Sequence, residues 1–328
     1  MKIIKKLLVI TLLSSILSQA QVTETPVKLE DALLWEISGN GLQKSSYLLG
    51  TMHTVEFSFM FDSIPGMRKV LSAVEQVATE IDMMALDSIR RKTPYVSDDC
   101  FLMPSDTTYS MLYSAKDFFY VDSVLSAGNA RYAERTPVFW QDIYVSYNLR
   151  LRSSKQKKKN MTMDYFVLLS AHQNSKKTFF LETIEEIANK DKKAHISRYK
   201  AGLKEQAAKL LFILKNTDMI YNIYDHLDSI YRVRKLSQFN YEDLIKKSVA
   251  VASNGQITEL DTKANYFQNE HNSILVKERN NSWMLKIPEL INQGSTLIAV
   301  GAMHLTGNAG LINQLRKMGY SVKPYPCR

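Results

Sequence analysis

The chain carries the same short phrase near both of its ends. Ser46-Tyr47-Leu48-Leu49 runs into Gly50-Thr51-Met52-His53, and Thr296-Leu297-Ile298-Ala299-Val300 runs into Gly301-Ala302-Met303-His304. Each phrase is an apolar run of strand length, then a glycine, then a histidine three positions later. In an α/β sheet, ligands bind beyond the carboxyl ends of the strands, where the loops begin. Two imidazoles placed there can meet only if strands from both chain ends lie in one sheet. The predicted fold is therefore α/β (or α+β), a central mixed sheet formed from both chain ends with the intervening residues as an insertion.

The local patterns fill in this frame. Leu33 to Ser38 is a short apolar run closed by Gly39-Asn40-Gly41, a turn signal, so it pairs with the Ser46 run as a hairpin. Met67, Val70, Leu71 and Val74 share one face of a helix over Met67 to Gln76. Val77 to Ile81 reads as a third strand with Glu80 near its end. Toward the C-terminus, a helix over Asn281 to Asn292 precedes the Thr296 strand. A helix capped by Asn308 and ending at Met318 leads to a last strand, Tyr320 to Lys323, and this order suggests a βαβ unit. The middle, roughly 107–268, is mostly helical by pattern: Phe139, Ile143 and Tyr147 at helical spacing, then Met163 to His172 and Ala201 to Leu214. One strand candidate, Lys177 to Leu181, interrupts it. Residues 21–328 are expected to form a single domain with this stretch as a cap.

Composition narrows the setting. Residues 1–20 have Lys2, Lys5 and Lys6, an apolar core from Leu7 to Leu17 and a Ser18-Gln19-Ala20 end, the pattern of a signal peptide cleaved before Gln21. That core is well short of the ~20 residues that span a bilayer, and nothing later in the sequence is long and apolar enough. The mature protein is thus expected to be exported, periplasmic or secreted, without a stable membrane span. Removing residues 1–20 takes away three lysines and no acid, so the net charge of +9 falls to +6. The densest basic run, Lys155 to Lys159, has no interleaved aromatics and reads as a solvated loop, which argues against a nucleic-acid partner. Cys100 and Cys327 are too few for a disulfide scaffold, although export allows them to pair.

With no cysteine cluster, a metal here would have to be held by His, Asp or Glu. Of the six histidines, His172, His195, His226 and His271 sit in polar helical contexts and read as structural or surface residues. His53 and His304 follow strands, and two neutral imidazoles from adjacent strands are a sound start for a zinc, manganese or cobalt site. Glu80, beyond the next strand, is the candidate third ligand or base, with Asp82 as its competitor on the same face. There is no His-Glu-x-x-His helix, no Gly-x-Ser-x-Gly elbow and no phosphate-binding glycine loop.

Taken together, the segments resemble the TraB/GumN family, which includes the Tiki-type metalloproteases. The resemblance rests on Leu34-Trp35-Glu36-Ile37, Tyr47 to His53, Thr79-Glu80-Ile81-Asp82, Leu181-Glu182-Thr183, Glu278-Arg279-Asn280, Val300 to Gly307, Gly310-Leu311-Ile312 to Leu315, and Gly319 to Val322. It implies an α/β core with a helical insertion, and a metal-dependent hydrolytic site in which His53, His304 and Glu80 hold a divalent ion. Glu80 would act as base or ligand, and Arg279 would steady an oxyanion or a substrate carboxylate. The expected function is an exported, peptidase-like hydrolase acting on a peptide or small molecule. The alternatives are a binding protein that sequesters such a molecule in a Tyr- and Met-rich helical groove, and a metal-free esterase with a histidine base.

Overall fold

The computed structural model describes residues 29–85, 101–155, 161–187, 189–190, 201–239 and 273–326. The leader, Cys100, Cys327, His195, His271 and all of the basic run but Lys155 lie outside these residues, as do the last residues of the expected cap. Six strands form one mixed sheet: β1 (Leu34–Ser38), β2 (Ser46–Thr51), β3 (Gln76–Thr79), β4 (Lys177–Phe180), β5 (Thr296–Gly301) and β6 (Ser321–Pro324). Their order across the sheet is β4-β3-β5-β2-β1-β6. β5, from the C-terminal end, lies between the N-terminal strands β2 and β3 and is parallel to both. β4 extends the parallel set beside β3, while β1 is antiparallel to β2 and to β6.

The sequence explains the strand pairings. Gly39, Asn40 and Gly41 all adopt positive φ, which turns the chain between β1 and β2 into a hairpin. The central strands are continuous apolar or small runs, buried along nearly their full length, as strands covered on both faces must be. Among the described residues the main core joins these strands to Trp35, Met60, Met67, Met163, Tyr231, Trp283 and Leu311.

Ten helices matter here: α1 (Phe59–Ser63), α2 (Met67–Ala73), α3 (Ala115–Ser126), α4 (Pro137–Lys155), α5 (Met163–Gln173), α6 (Leu203–Lys215), α7 (Thr217–Arg232), α8 (Arg279–Trp283), α9 (Ile287–Gln293) and α10 (Leu311–Lys317). The middle of the chain is helical, and α3, α4 and α6 share a second core of Tyr109, Val121, Leu125, Tyr132, Trp140, Leu210 and Leu214. Several of its tyrosines are therefore packed rather than lining a groove. Ile143 and Tyr147, read as part of an apolar face, are exposed.

Several local expectations are corrected. α2 stops at Ala73, because Lys176 Nζ donates to the carbonyls of Leu71, Ser72 and Val74 and caps the helix end. The helix expected over Asn281 to Asn292 is two helices, α8 and α9. Pro288 has no N–H to continue α8 and sits in the first turn of α9. Gly310, not Asn308, precedes α10. β6 joins the sheet beside β1 and antiparallel to it, and therefore runs parallel to β5, so β5, α10 and β6 form the expected βαβ crossover, with β2 and β1 lying between the two parallel strands.

Candidate active site at the carboxyl edge of the sheet

Because β2, β5, β3 and β4 run in one direction, their carboxyl ends share one edge of the sheet. Each is followed there by a polar side chain: Thr51 and His53 after β2, His304 after β5, Glu80 after β3 and Glu182 after β4. The pairing of β3 and β4 continues past the strands, with Leu181 N–H donating to Thr79 O (2.9 Å) and Glu182 N–H to Glu80 O (3.0 Å). That holds the two glutamates beside each other. β3 ends one residue before Glu80, where the Thr79 hydroxyl bonds to Ile81 O. Strand alternation therefore does not carry to Asp82, whose carboxylate accepts the Met84 and Ala85 N–H groups in a turn. Asp82 is not a competing site residue.

Arg279 ties the edge together. It is buried on α8, its Nε donates to Glu182 Oε1 (2.6 Å), and Nη2 donates to Glu80 Oε2 (2.6 Å). Nη1 lies 3.2 Å from His304 Nε2, and the guanidinium stacks 4.7 Å above Trp283. Lys190 supplies a second cation to Glu182 at 3.1 Å. The other oxygen of Glu80 accepts the Gly301 N–H at 2.7 Å. Burial pushes the Glu80 carboxyl up, but His304, Arg279 and the Gly301 amide outweigh it and hold it at about 2. At neutral pH, where His304 carries no charge, Arg279 and the amide supply that stabilisation.

His304 is fixed through its ring nitrogens. The Asn280 amide nitrogen donates to His304 O (3.0 Å) and Ala309 O (2.8 Å), so its oxygen is left to accept from His304 Nδ1 (2.7 Å). This assigns the proton to Nδ1 and a lone pair to Nε2. The Arg279 Nη1 contact agrees, because a guanidinium can only donate. Burial pushes the imidazole down to about 4, with Glu80 opposing and Arg279 assisting, so His304 is neutral at pH 7. Its ring packs 4.4 Å from Trp283. Asn280 lies inside α8 and is buried.

His53 lies at the more open side, with 65% of its side chain exposed. Its Nδ1 is 3.0 Å from Asp164 Oδ2, and Thr51 Oγ1 donates to Asp164 Oδ1 at 2.5 Å. The Asp164 carboxylate, with Glu80 at longer range, pushes the imidazole up to about 9, an effect that solvent screens on so open a side chain. Glu80 and Arg279 influence both imidazoles, and His53 lowers His304. Glu80 Oε1 stands 3.9 Å from His304 Nε2. His172 and His226 are exposed helix residues.

The glycines before the two histidines differ in their use. A side chain on Gly50 would meet Leu305 at 2.9 Å and the Ala302 backbone at 3.3 Å, so β2 needs it for the close approach of the turn that carries His304. Gly301 has ordinary extended backbone, and a side chain there would only touch Glu80 and His304.

Three participants had no role in the sequence reading. Asp164 follows a helix-capping Thr162 and reads as an ordinary first-turn acid; nothing in its neighbourhood marks it as buried. Asn280 and Glu182 stood within recognised segments but had no function until the fold brought them to His304 and Arg279.

Do these residues suit a divalent ion? Among the described residues no group of three His, Cys, Asp or Glu side chains is gathered tightly enough to enclose one. Arg279 and the Gly301 amide engage both oxygens of Glu80. The donor chemistry nevertheless fits. Each imidazole has Nδ1 bound to an orienting side chain, Asp164 or Asn280, and Nε2 as the nitrogen a metal would take, the usual arrangement of metal-binding histidines, although Arg279 Nη1 donates to Nε2 of His304 and would have to be displaced there. Glu80 is ionised beside His304, and the carboxylates of Asp164, Glu80 and Glu182 face two cations, Arg279 and Lys190, with His53 a third when protonated. No curated protein and no solved structure matches the chain. The profile of the TraB/PrgY/gumN family covers residues 33–324, nearly the whole sequence and every residue of the site, and the chain belongs to that family.

Proposed function

We propose that this protein is an exported, divalent-metal-dependent hydrolase with peptidase-like chemistry, in which His53, His304 and Glu80 hold zinc, manganese or cobalt. The observation that carries the reading is the pair of imidazoles on adjacent strands, each with Nδ1 engaged by a buried side chain, so that Nε2 is the nitrogen offered to an ion, with Arg279 Nη1 to be displaced from that of His304. Such an ion, when bound, polarises a carbonyl oxygen and lowers the pKa of a water. Asn280 holds His304 in one tautomer, and burial keeps it neutral. Glu80, held at about 2, is a weak base at pH 7, so its part is to bring negative charge to the ion rather than to take a proton. Arg279 places a fixed positive fork beside both and would steady a developing oxyanion or a substrate carboxylate. Burial of His304, Glu80 and Glu182 lowers the local dielectric and strengthens each of these interactions. Among the described residues no helix is long and apolar enough to cross a membrane.

The test is metal analysis of the purified mature protein together with turnover of a mixed peptide library, for the wild type, His53→Ala and His304→Ala. Both variants should lose bound metal and turnover together. Undiminished hydrolysis in excess chelator, or unchanged metal content in both variants, would overturn the reading.

A further inference from the structure

Asp164 is an expensive residue. Its carboxylate is 4% exposed, and no lysine or arginine is seen bonded to it among the described residues. It is stabilised by the Thr51 hydroxyl and by His53 Nδ1. A buried carboxylate so placed costs stability unless its partners offset the lost hydration, and here one partner is an open, movable imidazole.

The surroundings over-determine its position. Thr162 caps α5 by accepting the Tyr165 N–H, which sets Asp164 in the first turn. The loop that leaves His53 is pinned to the residues just before Asp164: Glu56 bridges Thr162, and Phe57 N–H donates to Met161 O at 3.3 Å. Phe57 stacks on Phe166 of α5, centroids 4.4 Å apart and 8° from parallel. Behind this, Tyr231 of α7 donates to Gly50 O at 2.7 Å and fixes the end of β2. Thr51 and His53 alternate with Met52 along the chain, so one carboxylate reaches both, one oxygen to each. The contact holding the exposed imidazole thus comes from the helical middle of the chain, not from either Gly-x-x-His phrase.

We propose that Asp164, held by Thr51, is a positioning residue that fixes His53 in the tautomer protonated at Nδ1, presents Nε2 to a divalent cation and strengthens that nitrogen as a donor. This rests on the metal-hydrolase reading above. Carboxylate partners of ligating histidines act in this way, and their loss typically weakens metal binding 10- to 100-fold. His304 has a neutral amide in the corresponding place, so the two imidazoles should be unequal, with the Asp164-backed His53 the one whose donor strength responds to mutation.

The experiment is Co²⁺ affinity by competition with a chromophoric chelator, with the visible absorption of bound Co²⁺ as a report on its ligand field. Asp164→Ala should weaken Co²⁺ about 10- to 100-fold, and Asp164→Asn, which keeps the acceptor but not the charge, should fall between it and the wild type. Thr51→Val should lose affinity and Thr51→Ser should restore it. The Co²⁺ spectrum should shift in Asp164→Asn. If Asp164→Ala does not fold, Asp164→Asn and Thr51→Val carry the test. Affinity within twofold of wild type in both, with an unshifted spectrum and with His53→Ala losing the ion, overturns the positioning role alone. Wild-type affinity in His53→Ala and His304→Ala overturns the metal site itself.

Discussion

Replacing Arg279 with leucine tests whether the site is held together by one buried cation. The guanidinium is 8% exposed and joins Glu80, 15% exposed, to Glu182, 1% exposed. Removing one partner of a buried ion pair typically costs about 3–5 kcal/mol, because the other charge is left without compensation. Here Glu182 keeps Lys190 and Glu80 keeps the Gly301 N–H, so the expected cost is near the lower figure, about 3 kcal/mol. At about 2–4 °C per kcal/mol for a large domain, Tm should fall by about 6–12 °C. The assay is differential scanning calorimetry at pH 7, repeated with Glu80→Gln added. The double variant should recover part of the loss, since the orphaned charge is gone. Lowering the pH toward 5 should also narrow the gap between Arg279→Leu and wild type, because burial without Arg279 pushes the Glu80 carboxyl up and favours its protonation. A fall of less than 2 °C, or a gap that widens on acidification, would refute the reasoning.

Glu80→Gln should lose metal and turnover together, because the wild-type carboxylate at about 2 is suited to be a ligand; turnover lost with metal fully retained would make it a base instead. Acidification from pH 6.5 to 4 should remove about 3 kcal/mol of stability through His304, since the unfolded imidazole takes up a proton near 6.5 and the folded one only near 4. His53 should act in the opposite sense, stabilising below pH 6.5 and losing that effect as pH rises through about 9, and Glu80 contributes above 4.5 and is lost toward 2. Tm against pH for the wild type and His304→Gln checks this, and parallel slopes between 6.5 and 4 would count against it. Gly310→Ala should lower Tm by several degrees, because the new methyl would clash with the Thr306 and Leu305 carbonyl oxygens and would force open the turn after His304. An unchanged Tm, measured by the same calorimetry, would show that the turn adjusts without strain.

The sequence reading reached the sheet because the two Gly-x-x-His phrases are local patterns with a joint geometric requirement. It named His53, His304, Glu80 and Arg279 and left out the residues that hold them. Asp164 is bonded to His53 across 111 residues, and Glu182 to Arg279 across 97. Neither has a periodic or capping signature that differs from a surface acid. The split between α8 and α9 was visible in Pro288, but the apolar spacing of Trp283, Ile287 and Leu290 hid it. The place of β6 in the sheet was not legible, since a strand after a helix reads alike whether it pairs beside β5 or crosses to β1.

The position of β5 has a consequence for how the molecule comes into being. It fills a slot between two strands that lie more than two hundred residues earlier, with hydrogen-bond partners on both sides. As the chain is synthesised, β2 and β3 each wait with an open edge until the last eighth of the sequence arrives. Long-range pairings of this kind pay their loop-closure entropy before any contact compensates it, and they fold slowly. His304 travels with the late strand, so no partial product has both imidazoles in place. A nascent or truncated chain ending before Thr296 would carry two unpaired strand edges, the form most exposed to aggregation and proteolysis.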